Sequence, residues 1–252
     1  MNALSERLGK IVGPRWVRGS RAELATYGSD GLPTHASIPG LVVLPATREE
    51  LIAVVQCLHE TGTPFVARGA GTGLSGGALA ASDAVIIALT RINRVIGIDP
   101  LRRRAVVEPG VVNARLSALA RPHGLQYAPD PSSQTACTVG GNVAENAGGP
   151  HCLKYGVTTN HVCELEVLLP DGTLAILGSG HGEPWGPDLA GLFVGSEGMF
   201  GIATRITVRL VPLPPSISTL LADFSSLRNA SESVSAIIAA GIVPAALEMM
   251  DQ

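Results

Sequence analysis

The sequence predicts an α+β fold whose function is carried by loops, and three observations predict it. Apolar runs of strand length are interspersed with helical patterns along the first 213 residues. Hydrophobic residues make up 46% of the 252 positions, enough to bury one or two cores and to set intrinsic disorder aside. The thirty glycines, about 12% against a usual ~7%, are neither periodic nor paired with low hydrophobicity. That excludes a collagen-like or flexible-linker chain and leaves the glycines a local task.

Residues 1–36 are expected to form an N-terminal helical segment. Residues 40–44, Gly-Leu-Val-Val-Leu, read as a buried strand; Thr47 with Glu50 forms a capping box opening a helix to about Glu60, and Gly62 is placed to end it. Residues 64–67 make a second strand, completing a βαβ unit with a crossover long enough for parallel pairing. Strands follow at 84–89, 94–98 and 104–107, the last two joined by Asp99-Pro100, and then a helix from about 112 to 120. Between 128 and 149 Pro, Ser, Thr, Asn and Gly dominate and no periodicity survives, which marks a long loop and therefore a functional candidate. Pro170-Asp171-Gly172 between 162–169 and 173–177 signals a hairpin, and a glycine-rich loop at 195–201 leads into a long strand at 203–213. Pro212, Pro214 and Pro215 mark a boundary, so that 37–214 form the main domain. Beyond it a strand at 217–224, a helix at 226–240 and the start of another element at 244–250 are too few to bury a core. Residues 215–252 therefore read as the beginning of an incomplete second domain, either missing most of itself or completed by another chain.

A net charge of −3 gives no electrostatic footprint for nucleic acid or an anionic membrane surface. The N-terminus is charged within ten residues and lacks a signal-peptide core, so a cytoplasmic protein is expected. The longest uncharged stretch, 233–247, is broken by Gly241 and Pro244 and is too short for a transmembrane span. Cys57, Cys137, Cys152 and Cys163 show no C-x-x-C spacing and read as reduced, buried thiols. His151-Cys152 and His161-x-Cys163 hold ligand-type residues close together but read as structural, and no metal site is assigned.

The glycines gather in three loops. The first, Arg68 to Gly77, contains Gly71, Gly73 and Gly76 at G-x-G-x-x-G spacing. A Rossmann unit would need a helix and a crossover of a dozen or more residues before the next strand. Only six residues, 78–83, are available, and no Gly-Lys-Ser/Thr of a phosphate-binding Walker loop is present. What remains is a loop of small residues whose amides can face an anion such as a pyrophosphate, with Thr72 and Ser75 as added hydroxyls. The second loop, 129–149, combines prolines, hydroxyls, side-chain amides and small residues in a mixture that suits a planar polar heterocycle. The third repeats the pattern around Glu197 to Ile202, and three such loops in one domain point to one large, extended ligand.

On these residues, namely 64–77, 129–156 ending in Cys152-Leu-Lys-Tyr-Gly156, and the Gly195-Ser-Glu-Gly…Gly-Ile202 run, the chain resembles the FAD domain of vanillyl-alcohol-oxidase-type (PCMH-type) flavoproteins. Within them it is most similar to the flavin subunit of glycolate oxidase and to FAD-linked D-lactate dehydrogenases. The resemblance runs from about Tyr27 to the end. It implies a two-subdomain PCMH-type FAD-binding domain followed by the start of an α+β cap domain that holds much of the substrate site. Carried over by motif, Val66, Ala67, Arg68, Gly69, Ala70, Gly71 and Thr72 would hold the pyrophosphate, with Gly73 beside them. Pro129, Asp130, Pro131, Ser132, Ser133, Gln134 and Thr135, then Gly140, Gly141, Asn142, Glu145, Asn146, Ala147 and Gly148, would line the cofactor. Glu197, Gly198, Gly201, Ile202 and Ala203 would touch it through the third loop.

Two departures bear on the chemistry. Family members that hold flavin covalently place a His in the first loop, where this chain has Thr72 and Gly73, so FAD is expected to be non-covalent. Met199-Phe200 stands where the family pattern has Thr-Leu and adds bulk beside the cofactor. Related dehydrogenases are roughly twice as long, which implies that their carboxylate-binding Arg, catalytic His and any metal ligands lie in the cap. The implied activity is oxidation of a 2-hydroxy acid, glycolate or D-lactate, by hydride transfer to flavin N5. The implied partners are that substrate and an electron acceptor or partner subunit, of which an iron–sulfur protein is one kind. No catalytic base is assigned; His151 and His161 are the nearest by loop position but read better as structural or cofactor-edge histidines, and Lys154 is equally compatible with a surface role. The alternatives are a non-catalytic or split-enzyme FAD module needing a separate cap polypeptide, and an NADPH-dependent reductase of the same fold, against which the Pro-Asp-Pro-Ser-Ser loop argues. With no membrane span of its own, the chain would reach the inner membrane only peripherally, through partners.

Overall fold

A computed structural model describes residues 2–179 and 186–250. The first lobe is built from α1 (Asn2–Val12), β1 (Val17–Arg18), α2 (Arg21–Ala25), β2 (Leu41–Val43), α3 (Arg48–Glu60), β3 (Phe65–Arg68) and β4 (Val85–Ala88). The Thr47 side chain accepts from Glu50 N at 3.1 Å and so caps α3, but the Glu50 carboxylate accepts from Ala46 N at 2.7 Å and not from Thr47 N, which leaves the expected capping box half formed. Leu51, Val54, Val55 and Leu58 of α3 are fully buried against Val43, Val85 and Ile87, while Val42 and Ile86 face a second core with Leu24. Burial on both faces explains why these strands read as continuous apolar runs instead of alternating ones. The sheet order is β1-β2-β4-β3, with β1 antiparallel and the others parallel. The two strands of the expected βαβ unit are thus parallel but do not touch, because β4 lies between them.

The second lobe comprises β5 (Val95–Asp99), β6 (Arg104–Val107), α4 (Asn113–Ala120), β7 (Leu125–Gln126), α5 (Val139–Glu145), α6 (Cys152–Tyr155), β8 (Val162–Leu168), β9 (Leu174–Gly178), α7 (Leu189–Phe193), β10 (Ile202–Arg209) and β11 (Val211–Pro212). Its five-stranded sheet runs β5-β6-β10-β8-β9, antiparallel throughout, over a core that includes Val107, Leu116, Val139, Val143, Leu165, Ile206 and Val208. The expected hairpin at Pro170-Asp171-Gly172 joins β8 to β9.

The structure departs from the sequence expectation in four further places. The stretch 128–149 is not wholly a loop: Thr138 caps α5 by accepting from Gly141 N at 3.2 Å. Gly140 and Gly141 each lower helix propensity by about 1 kcal/mol and hid the helix, which is held by the buried Val139 and Val143. The long strand at 203–213 breaks at Leu210 into β10 and β11, and β11 pairs with β7. No strand forms at 217–224, where Ile217, Leu220 and Leu221 are exposed and no neighbouring strand supplies hydrogen bonds. After it comes α8 (Leu227–Ala239), capped by Ser226, and nothing helical or extended follows at 244–250. Among the described residues no helix is long and apolar enough to cross a membrane.

The two sheets share no strand. They are joined by Arg48 of α3, whose Nε and Nη2 donate to Glu166 of β8 at 2.6 and 3.0 Å, and the carboxylate is held in place within its own sheet by the Thr204 hydroxyl of β10, which donates to it at 2.7 Å. Burial alone raises the Glu166 pKa; the hydrogen bonds from Arg48 and Thr204 outweigh it and hold the carboxyl below its ordinary value. Leu168 and Ile202, from the second sheet, complete the core around α3. We predict that Glu166→Gln lowers stability by about 1–3 kcal/mol near neutral pH, less than a fully buried pair because the Arg48 side chain is 33% exposed. Since the folded carboxyl titrates below its unfolded value of ~4.3, its contribution is complete above that pH and lost as pH falls through the folded value. Urea denaturation of the two proteins should therefore differ at pH 7 and converge in acid.

Candidate functional site

The three glycine loops border one cleft of about 340 Å³. The first follows β3, with Gly71 and Gly76 at φ +71° and +82°, where a side chain would be strained. Beneath it the buried Arg68 guanidinium donates to the carbonyls of Ser29, Ala78 and Tyr27 at 2.8, 3.1 and 3.3 Å, and Asp30 accepts from Gly76 N at 2.9 Å. Burial pushes the Arg68 pKa down, opposed by nearby Tyr27 and Asp30. The arginine thus gives the loop its path by tying strand end, loop end and the 27–30 segment together. None of the backbone N–H groups from Gly69 to Ser75 forms a hydrogen bond within the described residues. Seven successive free amides beside a cleft are a nest for an anion.

The second loop is anchored by Asn113, buried, whose Nδ2 donates to Pro129 O at 2.9 Å. Pro131, Ser132 and Ser133 then reach the cleft, and the chain turns through Cys137 and Thr138 into α5. Gly140 packs so closely on Pro109 that a Cβ would overlap its backbone. Asn142, 2% exposed, lines the cleft with neither amide atom hydrogen-bonded. Buried amides are nearly always paired, so this one fits a ligand that supplies both an acceptor and a donor. The third loop is hung from the same helix: Gly195 N donates to Val143 O at 2.8 Å and Glu197 N to Ala144 O at 2.9 Å.

The charged residues lining the cleft are Asp30, Glu145 and Glu197; among the described lining residues there is no Lys, Arg or His. Ser75 donates to Glu145 at 3.1 Å. An anionic ligand group must therefore be met by backbone amides, and the carboxylates suit hydroxyl or amine donors of the same ligand. Burial raises the pKa of the Cys137 thiol, leaving a neutral sulfur on the wall.

Of the residues expected at the site, seven do not line this cleft: Val66, Arg68, Pro129, Asp130, Gln134, Thr135 and Asn146. Most shape the loops. Gln134 N donates to Pro131 O at 2.8 Å, Asn146 caps α5 at φ +49°, and Asp130 accepts from His151 Nδ1 at 2.5 Å. The other twenty residues do line it. Ten more were not foreseen: Asp30, Leu74, Gly77, Ala78, Leu89, Pro109, Cys137, Thr138, Ala144 and Phe193. Continuity with the loops could have flagged Leu74, Gly77 and Ala78 in the first, and Cys137, Thr138 and Ala144 in the second. Leu89, Pro109 and Phe193 carry no signal, because only the fold brings them there. His151 and Lys154 do not line the cleft. Neither does His161, which is buried, held low in pKa by desolvation and bound through Nε2 to Tyr155 O at 2.9 Å.

Two lobes, three glycine loops and a run of unpaired amides build a cleft for an extended ligand that carries an anionic group, without a Rossmann unit. The chain belongs to the FAD binding domain family, whose sequence model matches residues 39–178. It is 50% identical over 229 residues to the glycolate oxidase subunit GlcD of Escherichia coli, covering 91% of this chain and 46% of that protein. It is 36% identical over 231 residues to a D-lactate dehydrogenase of Anaerostipes hadrus, covering 91% and 47%. The chain thus spans about half the length of these curated relatives. The fold is that of p-cresol methylhydroxylase, matched with a TM-score of 0.73 at 23% identity over 85% of this chain and 44% of that one. The cofactor of the family is FAD, and the free amides and orphaned Asn142 fit such a group.

We predict that Arg68→Met, which leaves three carbonyls without their donor, lowers the thermal midpoint by an amount corresponding to about 1–3 kcal/mol. It should also expose the 69–78 loop to limited proteolysis; a wild-type midpoint and cleavage pattern would contradict the tethering role.

Proposed function

We propose that the chain is the FAD-bearing half of a dehydrogenase that oxidises a small 2-hydroxy acid of the glycolate or D-lactate class. The observation that carries this is the convergence of three loops on one cleft, in a chain half identical to a protein named as a glycolate oxidase subunit. When bound, FAD supplies the redox chemistry by accepting a hydride at N5 from the substrate's α-carbon. The chain's own part is to bind and orient. The amides of residues 69–75 would receive the pyrophosphate charge, Glu145 and Glu197 would accept from ligand hydroxyls, Asn142, Pro131 and Ser132 would hold a polar edge of the ligand, and Gly198, Gly201, Ile202 and Ala203 would close the wall. Thr72 and Gly73 stand where members of this fold with covalent flavin place a His, so the cofactor would be held non-covalently. No residue of the cleft is assigned as substrate base.

A second reading is a module active only with a separate polypeptide, such as an electron-accepting or cap-bearing subunit. The exposed Ile217, Leu220 and Leu221, which a partner surface would cover, favour it. We place the protein in the cytoplasm, reaching the inner membrane through such partners.

Acid precipitation of the purified protein should release yellow flavin into the supernatant as FAD; flavin retained in the pellet would refute non-covalent binding, and none at all would refute the cofactor. Asn142→Leu should weaken FAD binding about tenfold or more, measured by flavin fluorescence on titration of the stripped protein. Reduction of an artificial dye with glycolate or D-lactate by the chain alone would decide against the second reading, whereas a yellow but inert protein would support it.

A further inference from the structure

A second cavity, of about 330 Å³, opens where β6, β8, β9, β10 and α7 meet, and shares no lining residue with the cofactor cleft. Arg104 of β6 and Arg209 of β10 are direct cross-strand partners in the antiparallel pair, and both line it. Side chains at such positions leave the same face with Cβ atoms about 5 Å apart, and like charges there repel. Among the described residues neither guanidinium has a carboxylate within ion-pair distance. Arg104 Nη1 is buried without a hydrogen-bond partner. Asp188, the carboxylate on the cavity wall, accepts from Gly191 N at 2.8 Å through Oδ1 as the cap of α7. The lining also offers three apolar side chains, Val162, Ala190 and Val194, beside the polar Thr159, Ser179 and Asp188. A buried guanidinium donor with no acceptor is costly to leave unmade, and paired guanidinium groups match the oxygens of a carboxylate or phosphate.

We propose that this cavity binds a small organic anion, with one carboxylate or phosphate group against Arg104 and Arg209 and an apolar portion on Val162, Ala190 and Val194. It is independent of the cofactor reading, and FAD-loaded and stripped protein should bind alike. Isothermal titration calorimetry of the protein as purified, with benzoate, phenyl phosphate and inorganic phosphate as probes, tests it. The expected result is saturable one-to-one binding of benzoate or phenyl phosphate with an unchanged flavin spectrum, and inorganic phosphate at least tenfold weaker. Arg104→Gln and Arg209→Gln should each weaken the organic probe tenfold or more. Absence of saturable binding by both organic probes, undiminished binding in the double variant, or inorganic phosphate binding as tightly as its phenyl ester each overturns the proposal. Should the variants fail to fold, modification of wild-type Arg209 by phenylglyoxal, read by mass spectrometry, decides: protection by the bound organic probe supports the site, and equal modification with and without it overturns it.

Discussion

The Arg48–Glu166–Thr204 clamp is the interaction on which the site depends, because the cleft is walled by two lobes that share no strand. The first glycine loop rises from β3 in one lobe; the second and third are carried by α5 and β10 in the other. Ile202 makes the dependence concrete, since it completes the core around α3 and also lines the cleft. A partly buried, directional pair fixes the rotation of one sheet on the other in a way that apolar contact alone would leave loose. Its position one strand away from the loops, rather than inside the cleft, keeps its charges from competing with a ligand.

Within the cleft the governing constraint is that negative charge must be received where the side chains are themselves acidic. Backbone amides resolve it: they carry partial positive charge, need no countercharge and allow close approach only when side chains are small. The glycines at 69–73, 140–141 and 198–201 are the sequence trace of that solution. Arg68 belongs to the same logic, since its guanidinium is spent on the carbonyls of Tyr27, Ser29 and Ala78 and does not line the cleft.

Much of the fold was legible because local chemistry and global fold agree. Thr47 with Glu50 announced α3, Pro170-Asp171-Gly172 announced the β8–β9 hairpin, and doubly buried strands announced themselves as unbroken apolar runs. Helix α5 was not legible, since Gly140 and Gly141 are there for close approach to Pro109 and conceal a helix that tertiary packing enforces. A strand was expected at 217–224, but local composition does not supply a neighbour to pair with. At the site, the loops could be read by composition. Leu89, Pro109 and Phe193 could not, because core residues reach a cleft only through the way sheets stack.

The central claim is that all three loops serve one extended dinucleotide, and its most direct test compares FAD with FMN on the stripped protein by fluorescence titration. Loss of the adenylate half removes the ligand from part of a cleft that runs from the 69–77 loop to the 197–203 loop. FAD should bind at least a hundredfold tighter than FMN, about 2.7 kcal/mol. Equal affinity for the two, or no binding of either, would contradict it.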